Sequence, residues 1–193
     1  KRFGVHFGVM GGLLLHPPPL AAADDRHASP GPDRPNEVVL PDIGDLAARL
    51  RFCPQDGRIW LDERRMILLH VSAFASLRRE LIDSLGIETA RGLLTRMGYE
   101  SGSTDAKFAR RVRAHQSAKE AFLVGPQLHS LEGIVRVLPV SLEFDIAKGH
   151  YYGEFLWFDS AEADAHIGIY GLASEPVCWT QIGYACGYTS AFM

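Results

Sequence analysis

Apolar residues recur at three- and four-residue steps through much of the chain, and in one later stretch they alternate with other residues. The first spacing is typical of helices that bury one face, and the second is typical of β-strands. A short strand at Arg58–Asp62 and a strand pair after residue 133 are expected among the helices. The pattern predicts a mixed α/β (α+β) fold in which helices pack on a small antiparallel sheet.

The first helical regions are defined by their apolar spacing and by residues that begin or end helices. A short helix is predicted from Asp42 to Leu50. A longer helix is predicted with Asp62 as its N-cap and Gly86 at its end, and its apolar stripe is expected to lie in the core. The stripe consists of Ile67, Val71, Phe74, Leu77, Leu81 and Leu85.

The next helical region, Glu88 to about His115, is interrupted in its pattern by GYESGS. The two glycines of that motif, Gly98 and Gly102, indicate either a break or a close contact with another helix. A third region starts near Ser117, and Pro126 is expected to mark a turn or a kink in it.

Strict alternation then begins near Ile134 and continues to Phe144, which predicts a strand. Pro139 within it favours an edge position or a bulge. The sequence AKG turns the chain, and His150–Asp159 is predicted to return as an antiparallel partner. Because both faces of this second strand carry aromatic residues, we expect burial on both sides.

Two more helices are predicted at the C-terminal end. Asp159 or Ser160 caps the first, which runs to Tyr170, and Ser174 caps the second, which starts at Glu175. Since no glycine, proline or basic turn closes the last helix, we expect the sequence to stop inside that element.

Residues 1–37 show no sustained period and are rich in proline, aspartate, alanine and arginine. We therefore expect a disordered or foreign leader at 1–37 and a folded domain at 38–193. The apolar start imitates a signal peptide poorly, because His6 interrupts it and Pro17–Pro19 follow. No stretch approaches the ~20 apolar residues that span a bilayer, so no membrane partner is expected.

Composition is that of one ordinary globular domain, with 47% hydrophobic and 22% charged residues. The net charge of −3 gives no diffuse basic field, and Arg110, Arg111 and Arg113 look like a solvated helix face, which disfavours direct nucleic-acid binding. Three widely spaced cysteines do not form a disulfide framework, so a reducing, cytoplasmic location is expected.

One histidine and several aromatic residues are the candidates for chemistry. His129 lies in the middle of the nearly apolar FLVGPQLHSLEG, where it is either a satisfied core residue or the polar anchor of a pocket. Tyr184 and Tyr188 are one helical turn apart and can line a cavity together. With an indole N–H as second polar group, such a cavity suits a small phenol-like ligand. The alternative, that these aromatics only pack, remains open.

Catalytic and metal-binding arrangements find less support. Asp164 and His166 point in different directions on a helix, and the sequence contains no GxSxG, HExxH, P-loop or GxGxxG motif. Cys178 and Cys186 lie ~12 Å apart along a straight helix. Two thiolates that share a zinc ion at ~2.3 Å each must lie much closer than that, so these two cannot bind one ion together.

Several long blocks in order carry a family resemblance: GRIWLDERRM, ELIDSLG, ARGLLTRMGYESG, GPQLHSLEGIVRV, GEFLWFDSAEADAHI and SEPVCWTQIGYACGYTSAFM. Over roughly residues 38–193 the chain resembles the N-terminal sensor domain of the XylR/DmpR group of bacterial activators, most closely the phenol-responsive branch. The resemblance implies a 4-vinyl reductase-like domain that binds aromatic effectors. It also implies cytoplasmic regulation of aromatic catabolism together with sigma-54 RNA polymerase.

The resemblance assigns roles to individual residues. It implies that His129 is the polar anchor of the effector and that Trp157 is its partner. It places pocket aromatics at Phe122, Phe155, Tyr184 and Tyr188.

For zinc, the resemblance implies a structural site with Cys178 as its first ligand. It places the other ligands, an acid and two cysteines, in a segment after SAFM. On this basis we expect the zinc site to be incomplete in the present residues.

The resemblance further implies a homodimer, formed through the N-terminal part, and control of a downstream ATPase domain. Contacts with polymerase and DNA would run only through domains outside this sequence. Two rivals remain: an enzyme that processes small aromatics with His129 as acid or base, and an interaction module with an aromatic core.

Overall fold

The structure, a computed structural model, describes residues 3–8, 38 and 40–193, with residues 3–8 described as backbone only. Strands are numbered in chain order as β1 (Phe3–Gly8), β2 (Leu50–Cys53), β3 (Arg58–Leu61), β4 (Arg64–Met66), β5 (Arg136–Asp145) and β6 (His150–Phe158). Helices are α1 (Gly44–Ala47), α2 (Val71–Leu85), α3 (Ile87–Val112), α4 (Ala118–Phe122), α5 (Val124–Leu131), α6 (Ala161–Tyr170) and α7 (Trp179–Phe192). The mixed α/β prediction is confirmed.

Among the described residues, two antiparallel three-stranded sheets are present, in the strand orders β1-β6-β5 and β2-β3-β4. The predicted strand pair is confirmed as β5 and β6, joined by a turn at Gly149. Strand β5 lies at an edge and its register shifts between Pro139 and Ser141, so both features that the proline favoured are found together.

Strand β1 pairs antiparallel with β6, with Phe3 opposite Trp157 and Gly8 opposite Tyr152. Residues 3–8 lie within the stretch expected to be a disordered or foreign leader, and they form an edge strand of the β1-β6-β5 sheet. The remainder of residues 1–37 lies outside the described residues.

Only one face of β6 is buried, so the expectation of burial on both faces is wrong. The buried residues are Tyr151, Gly153, Phe155 and Trp157, while the described residues between them are half-buried. The physical reason is that helices α4, α5 and α7 pack their apolar residues against that one face.

Helix α3 runs without a break through Gly98 and Gly102, because both glycines meet the backbone of α7. A Cβ atom at Gly98 would lie 1.9 Å from the carbonyl oxygen of Thr180. Gly183 and Gly187 on α7 face α3 in the same way: a Cβ atom at either would lie 2.0 Å from a backbone carbonyl oxygen of α3, that of Thr95 or Tyr99. Of the two alternatives for GYESGS, the structure selects the close helix contact.

The long helix that Asp62 was predicted to cap begins later, at Val71, and is helix α2. Asp62 lies in the turn between β3 and β4 with a φ of 57°, and His70 is the residue before the helix. The predicted core stripe is only partly confirmed: Phe74 and Leu81 pack against a core cluster, whereas its other members, among them Val71, Leu77 and Leu85, are exposed. The helix instead buries Ala75 and Arg78, against α6 and the N-terminal end of α7.

Other boundaries follow side-chain capping. Helix α4 starts after Ser117, near the predicted start, and Ser117 caps it in a capping box with Glu120. Of the two predicted caps of α6, Asp159 and Ser160, the structure selects Ser160. Helix α7 starts at Trp179 rather than Glu175. Helix α1 ends at Ala47 because Leu50, predicted as helical, already begins β2.

The arginine-rich end of α3 is not a simple solvated face. Arg113 is buried, and its guanidinium donates to both carboxylate oxygens of Asp45 at 3.0 and 3.1 Å. The same group reaches the carbonyl oxygens of Asp42 and Glu120. Arg113 thus ties the segment before β2 to the α3–α4 junction.

Candidate functional site

A cavity lies among α4, α5, α7 and the buried faces of β5 and β6. It contains about 410 Å³ of space that no atom occupies, part of it open to solvent. All six residues expected to form a ligand pocket line it: Phe122, His129, Phe155, Trp157, Tyr184 and Tyr188. Six further residues complete the lining: Gly125, Pro126, Val137, Tyr151, Ala185 and Thr189.

His129 lies on α5 with only 6% of its surface exposed. Its ring centroid is 3.8 Å from that of Tyr184. Burial lowers the pKa of His129 to about 3, so the imidazole is neutral at pH 7. A neutral imidazole has one donor and one acceptor nitrogen, which is what a ligand hydroxyl requires.

Trp157 reaches the cavity from the buried face of β6 and is 5% exposed. Within the described part of the chain, neither its indole nitrogen nor the ring nitrogens of His129 make a hydrogen bond. Buried polar groups normally have partners, so an imidazole and an indole N–H without them indicate a place for a polar ligand atom.

Tyr188 uses its hydroxyl within the protein. The hydroxyl donates to the carbonyl oxygen of Phe122 at 2.9 Å and accepts from the N–H of Gly125 at 3.0 Å. Gly125 is required here, because a Cβ at that position would lie 2.7 Å from the Tyr188 ring. Tyr188 therefore joins α7 to the α4–α5 junction and offers its ring to the cavity.

The aromatic wall is a connected cluster around Phe122. Its ring centroid lies 5.3 Å from those of Tyr151, Tyr188, Phe144 and Phe192. Tilted and edge-to-face contacts at this separation favour rigid packing. None of the lining residues carries a charge at neutral pH, so the cavity suits a small neutral aromatic molecule.

Sequence reasoning missed half of the lining and one supporting carboxylate. Tyr151 had a signal, since it shares its strand face with Phe155 and Trp157. Asp105 had none: it is buried on α3 and accepts the hydroxyl of Tyr184 at 2.9 Å. Only the packing of α3 against α7 brings these two residues together.

Cys178, the expected first zinc ligand, is buried beside Ser160, with the sulfur 3.4 Å from the Ser160 oxygen. Burial raises the pKa of the Cys178 thiol to about 11, which disfavours the thiolate that zinc needs. Among the described residues, no three His, Cys, Asp or Glu side chains are grouped to hold a metal ion. The residues present do not by themselves fit a zinc ion, and the zinc expectation stays a prediction.

The structure also bears on the cysteines, on membrane-spanning helices and on an acid–base role for His129. The cysteines Cys53, Cys178 and Cys186 are free. In the part of the chain that the structure describes, no helix has both the length and the apolar character to cross a membrane. A general acid or base works best with a pKa near the working pH, so the value of about 3 makes His129 ill suited to that role.

Comparison with known proteins finds relatives among bacterial regulators. Over 152 residues, the chain is 45% identical to the transcriptional regulatory protein XylR of Pseudomonas putida and 39% identical to the phenol regulator MopR of Acinetobacter guillouiae. Each match covers 79% of this chain and 27% of the relative, so the chain spans about a quarter of these regulators.

A solved structure is also similar: the phenol-responsive sensory domain of the transcription activator PoxR, crystallised with phenol. The sequence identity is 54% and the TM-score is 0.76, over 78% of this chain and 75% of that one. These relatives are regulators of transcription, and they give no support to the rival interpretation as an enzyme.

Residues 45–145 match the model of a family described as activator of aromatic catabolism. The match covers α1 to β5 and so includes helix α5, which carries His129. The chain therefore belongs to the family of XylR-type N-terminal regulatory domains.

Proposed function

We propose that this domain binds phenol or a related hydroxylated aromatic in the cavity and thereby controls the rest of a transcription activator. The observation that carries the proposal is that His129 and Trp157, two polar groups without hydrogen-bond partners in the described chain, line the same uncharged aromatic cavity. The phenol in the crystal structure of the PoxR sensory domain supports the choice of ligand.

The expected chemistry is recognition without turnover. The aromatic rings supply dispersion and edge contacts to the ligand ring, and the ligand hydroxyl pairs with the imidazole and the indole N–H. Because His129 is neutral, it accepts or donates a hydrogen bond without first losing a proton. A plain arene would leave the imidazole of His129 and the indole N–H of Trp157 unpaired, at a cost of ~1–3 kcal/mol, which gives the site its preference for phenols over plain arenes.

Calorimetry with phenol, methylphenols and toluene tests the proposal. His129→Ala is expected to weaken phenol binding by ~1–3 kcal/mol, about 5- to 150-fold, and to change toluene binding much less. Trp157→Phe, which keeps an aromatic ring but lacks the N–H, should act in the same direction. His150→Ala is the matched control, since that histidine is exposed on β6. Equal phenol affinity in wild type and His129→Ala would remove His129 from the site.

The proposed domain passes the effect of ligand binding on to the rest of the regulator. Ligand binding favours one arrangement of the sensor over another, and by linkage this changes the activity of a downstream ATPase domain. Promoter DNA and sigma-54 RNA polymerase would be contacted only through parts of the regulator outside these residues. Residues 1–193 alone are therefore expected to show no ATP hydrolysis and no promoter binding.

A homodimer with the N-terminal part at its interface is also proposed. The segment between β4 and α2 supports it, because Ile67, Leu68 and Leu69 are 76%, 78% and 56% exposed. Adjacent large apolar side chains of this exposure are typical of protein–protein contacts. Sedimentation of the wild type and Leu68→Glu tests it: a dimer that becomes a monomer supports the interface, and an unchanged dimer contradicts it.

The free cysteines support a cytoplasmic setting.

A further inference from the structure

Asp105 is a buried carboxylate directly behind the wall of the cavity. It is 3% exposed, and its Oδ2 accepts a hydrogen bond from the Tyr184 hydroxyl at 2.9 Å. Its Oδ1 is paired with the guanidinium of Arg64, which comes from β4 and lies 4.1 Å over the ring of Phe108. Both oxygens are engaged, so the charge is compensated where an unpaired one would be costly.

The position of Asp105 depends on the glycine contact between α3 and α7. Gly102 lies one turn before Asp105, and a Cβ there would lie 2.1 Å from the carbonyl oxygen of Tyr184. This close approach lets the short aspartate side chain reach the Tyr184 hydroxyl. The same bond turns the hydroxyl towards α3 and leaves the Tyr184 ring against His129, with 3.8 Å between centroids.

Two tyrosines of the lining hold their hydroxyls in this way. Tyr184 donates to Asp105, and Tyr188 donates to the carbonyl oxygen of Phe122. Both therefore present ring surface rather than a free hydroxyl to the cavity. A ligand with one hydroxyl can be satisfied by His129 and Trp157, but a second hydroxyl would find the hydroxyls of Tyr184 and Tyr188 already paired.

We infer that Asp105 is a positioning residue that sets ligand selectivity: by holding the Tyr184 hydroxyl outside the cavity, it makes the site prefer aromatics with one hydroxyl over dihydroxylated ones. This inference rests on the proposed phenol site and names its ligand class more narrowly. Asp105 touches no ligand itself, since it acts through Tyr184. Replacing it with alanine releases the Tyr184 hydroxyl, which then serves as partner for a second ligand hydroxyl.

The test is a selectivity ratio, measured by calorimetry as the Kd of each dihydroxybenzene (1,2-, 1,3- and 1,4-) divided by the Kd of phenol. In Asp105→Ala the ratio is expected to fall about three- to tenfold for at least one isomer, which corresponds to one hydrogen bond gained. In Asp105→Ala with Tyr184→Phe it should return to the wild-type ratio. Asp105→Asn, which keeps an acceptor oxygen, should also retain that ratio.

A merely structural role for Asp105 would weaken all ligands together and leave the ratio unchanged, and that result overturns the inference. It is also overturned if the double substitution lowers the ratio as much as Asp105→Ala does. Tyr184→Phe alone gives an independent measure: it removes the hydroxyl that Asp105 holds, so the selectivity ratio should stay at the wild-type value. A ratio that falls as far as in Asp105→Ala would contradict the inference.

Folding and ligand identity are controlled separately. If Asp105→Ala does not fold because Arg64 loses its partner, the same ratios are measured with Arg64→Met added, which removes both charges. Phenol binding by the wild type with ratios that do not respond to Asp105 refutes this inference alone. Absence of phenol binding by the wild type refutes the proposed function, and the inference falls with it.

Discussion

Replacing Gly98 with alanine tests the contact that fixes α7, and with it two walls of the cavity. The added Cβ would lie 1.9 Å from the carbonyl oxygen of Thr180, 2.8 Å from its carbonyl carbon and 2.9 Å from the backbone nitrogen of Tyr184. All three are backbone atoms of α7, so no side-chain rotation relieves the clash. The two helices must move apart.

The magnitude follows from that distance. Cβ contacts below 3.0 Å are essentially never found, so the opening needed from 1.9 Å is about 1 Å. A gap of that size forfeits roughly a quarter to a half of the dispersion attraction along the interface. Overpacking costs ~1–3 kcal/mol or more, against a gain of ~0.5–1 kcal/mol from replacing a helical glycine. Because the clash involves backbone on both helices, we expect the upper end of that cost and a net loss of about 2 kcal/mol, or ~4–8 °C in Tm.

Urea unfolding followed by circular dichroism measures this loss, with Gly92→Ala as the control in the same helix. At Gly92 the nearest atom to an added Cβ is the Nη1 of Arg96 at 3.4 Å, the far end of a flexible side chain. Gly92→Ala should therefore be neutral or stabilise by ~0.5–1 kcal/mol. Equal stability of the two variants would refute the argument that α3 and α7 are held together by backbone contact at glycine.

Three further predictions concern buried charged or titratable groups. Arg78 donates a hydrogen bond to Glu162 at 2.8 Å. Arg78→Met or Glu162→Gln should each lower the free energy of unfolding by ~3–5 kcal/mol, and the double variant should lower it by less than the sum. Additive losses would show that the two charges are not coupled. Burial raises the pKa of Glu132 from 4.5 to about 6, so the protonated carboxyl stabilises the fold fully below pH 4.5 and this contribution is lost as pH rises through 6. Urea unfolding of Glu132→Gln should therefore show a flatter dependence of stability on pH in this range, and an unchanged slope would contradict the shifted pKa. The lowered pKa of His129 means that the unfolded chain takes up the proton first, so stability is lost as pH falls from 6.5 towards 3; acid unfolding of His129→Gln should need a lower pH than the wild type, and identical curves would show that the imidazole is not buried.

Local patterns in the sequence were sufficient where each residue's environment is set by its near neighbours. Alternation from residue 134 to 158 predicted β5 and β6, and Pro139 marked the irregularity in their pairing. Ser117 and Ser160 marked the starts of α4 and α6 through their own capping bonds. These features depend on backbone geometry and on residues three or four positions away.

Exposure of α2 shows where local patterns fail. Apolar residues at helical spacing predicted a core stripe, yet Leu77 and Leu85 are about half exposed while Arg78 is fully buried. Periodicity identifies a face with common chemistry but not the surface that the face meets. Here the side of α2 that packs against α6 and α7 carries the charged residue, which Glu162 compensates and Trp179 covers at 3.8 Å.

The sequence by itself determined that the chain builds helices around an antiparallel strand pair, and its long motif blocks pointed to His129 and Trp157. Only the tertiary structure decided that Asp105 supports the cavity, that Gly98 and Gly102 are contact points rather than breaks, and which aromatic hydroxyls are already used. The reason is physical: a hydrogen bond or a backbone contact between residues about eighty positions apart depends on how α3 and α7 pack, and no local pattern encodes that distance.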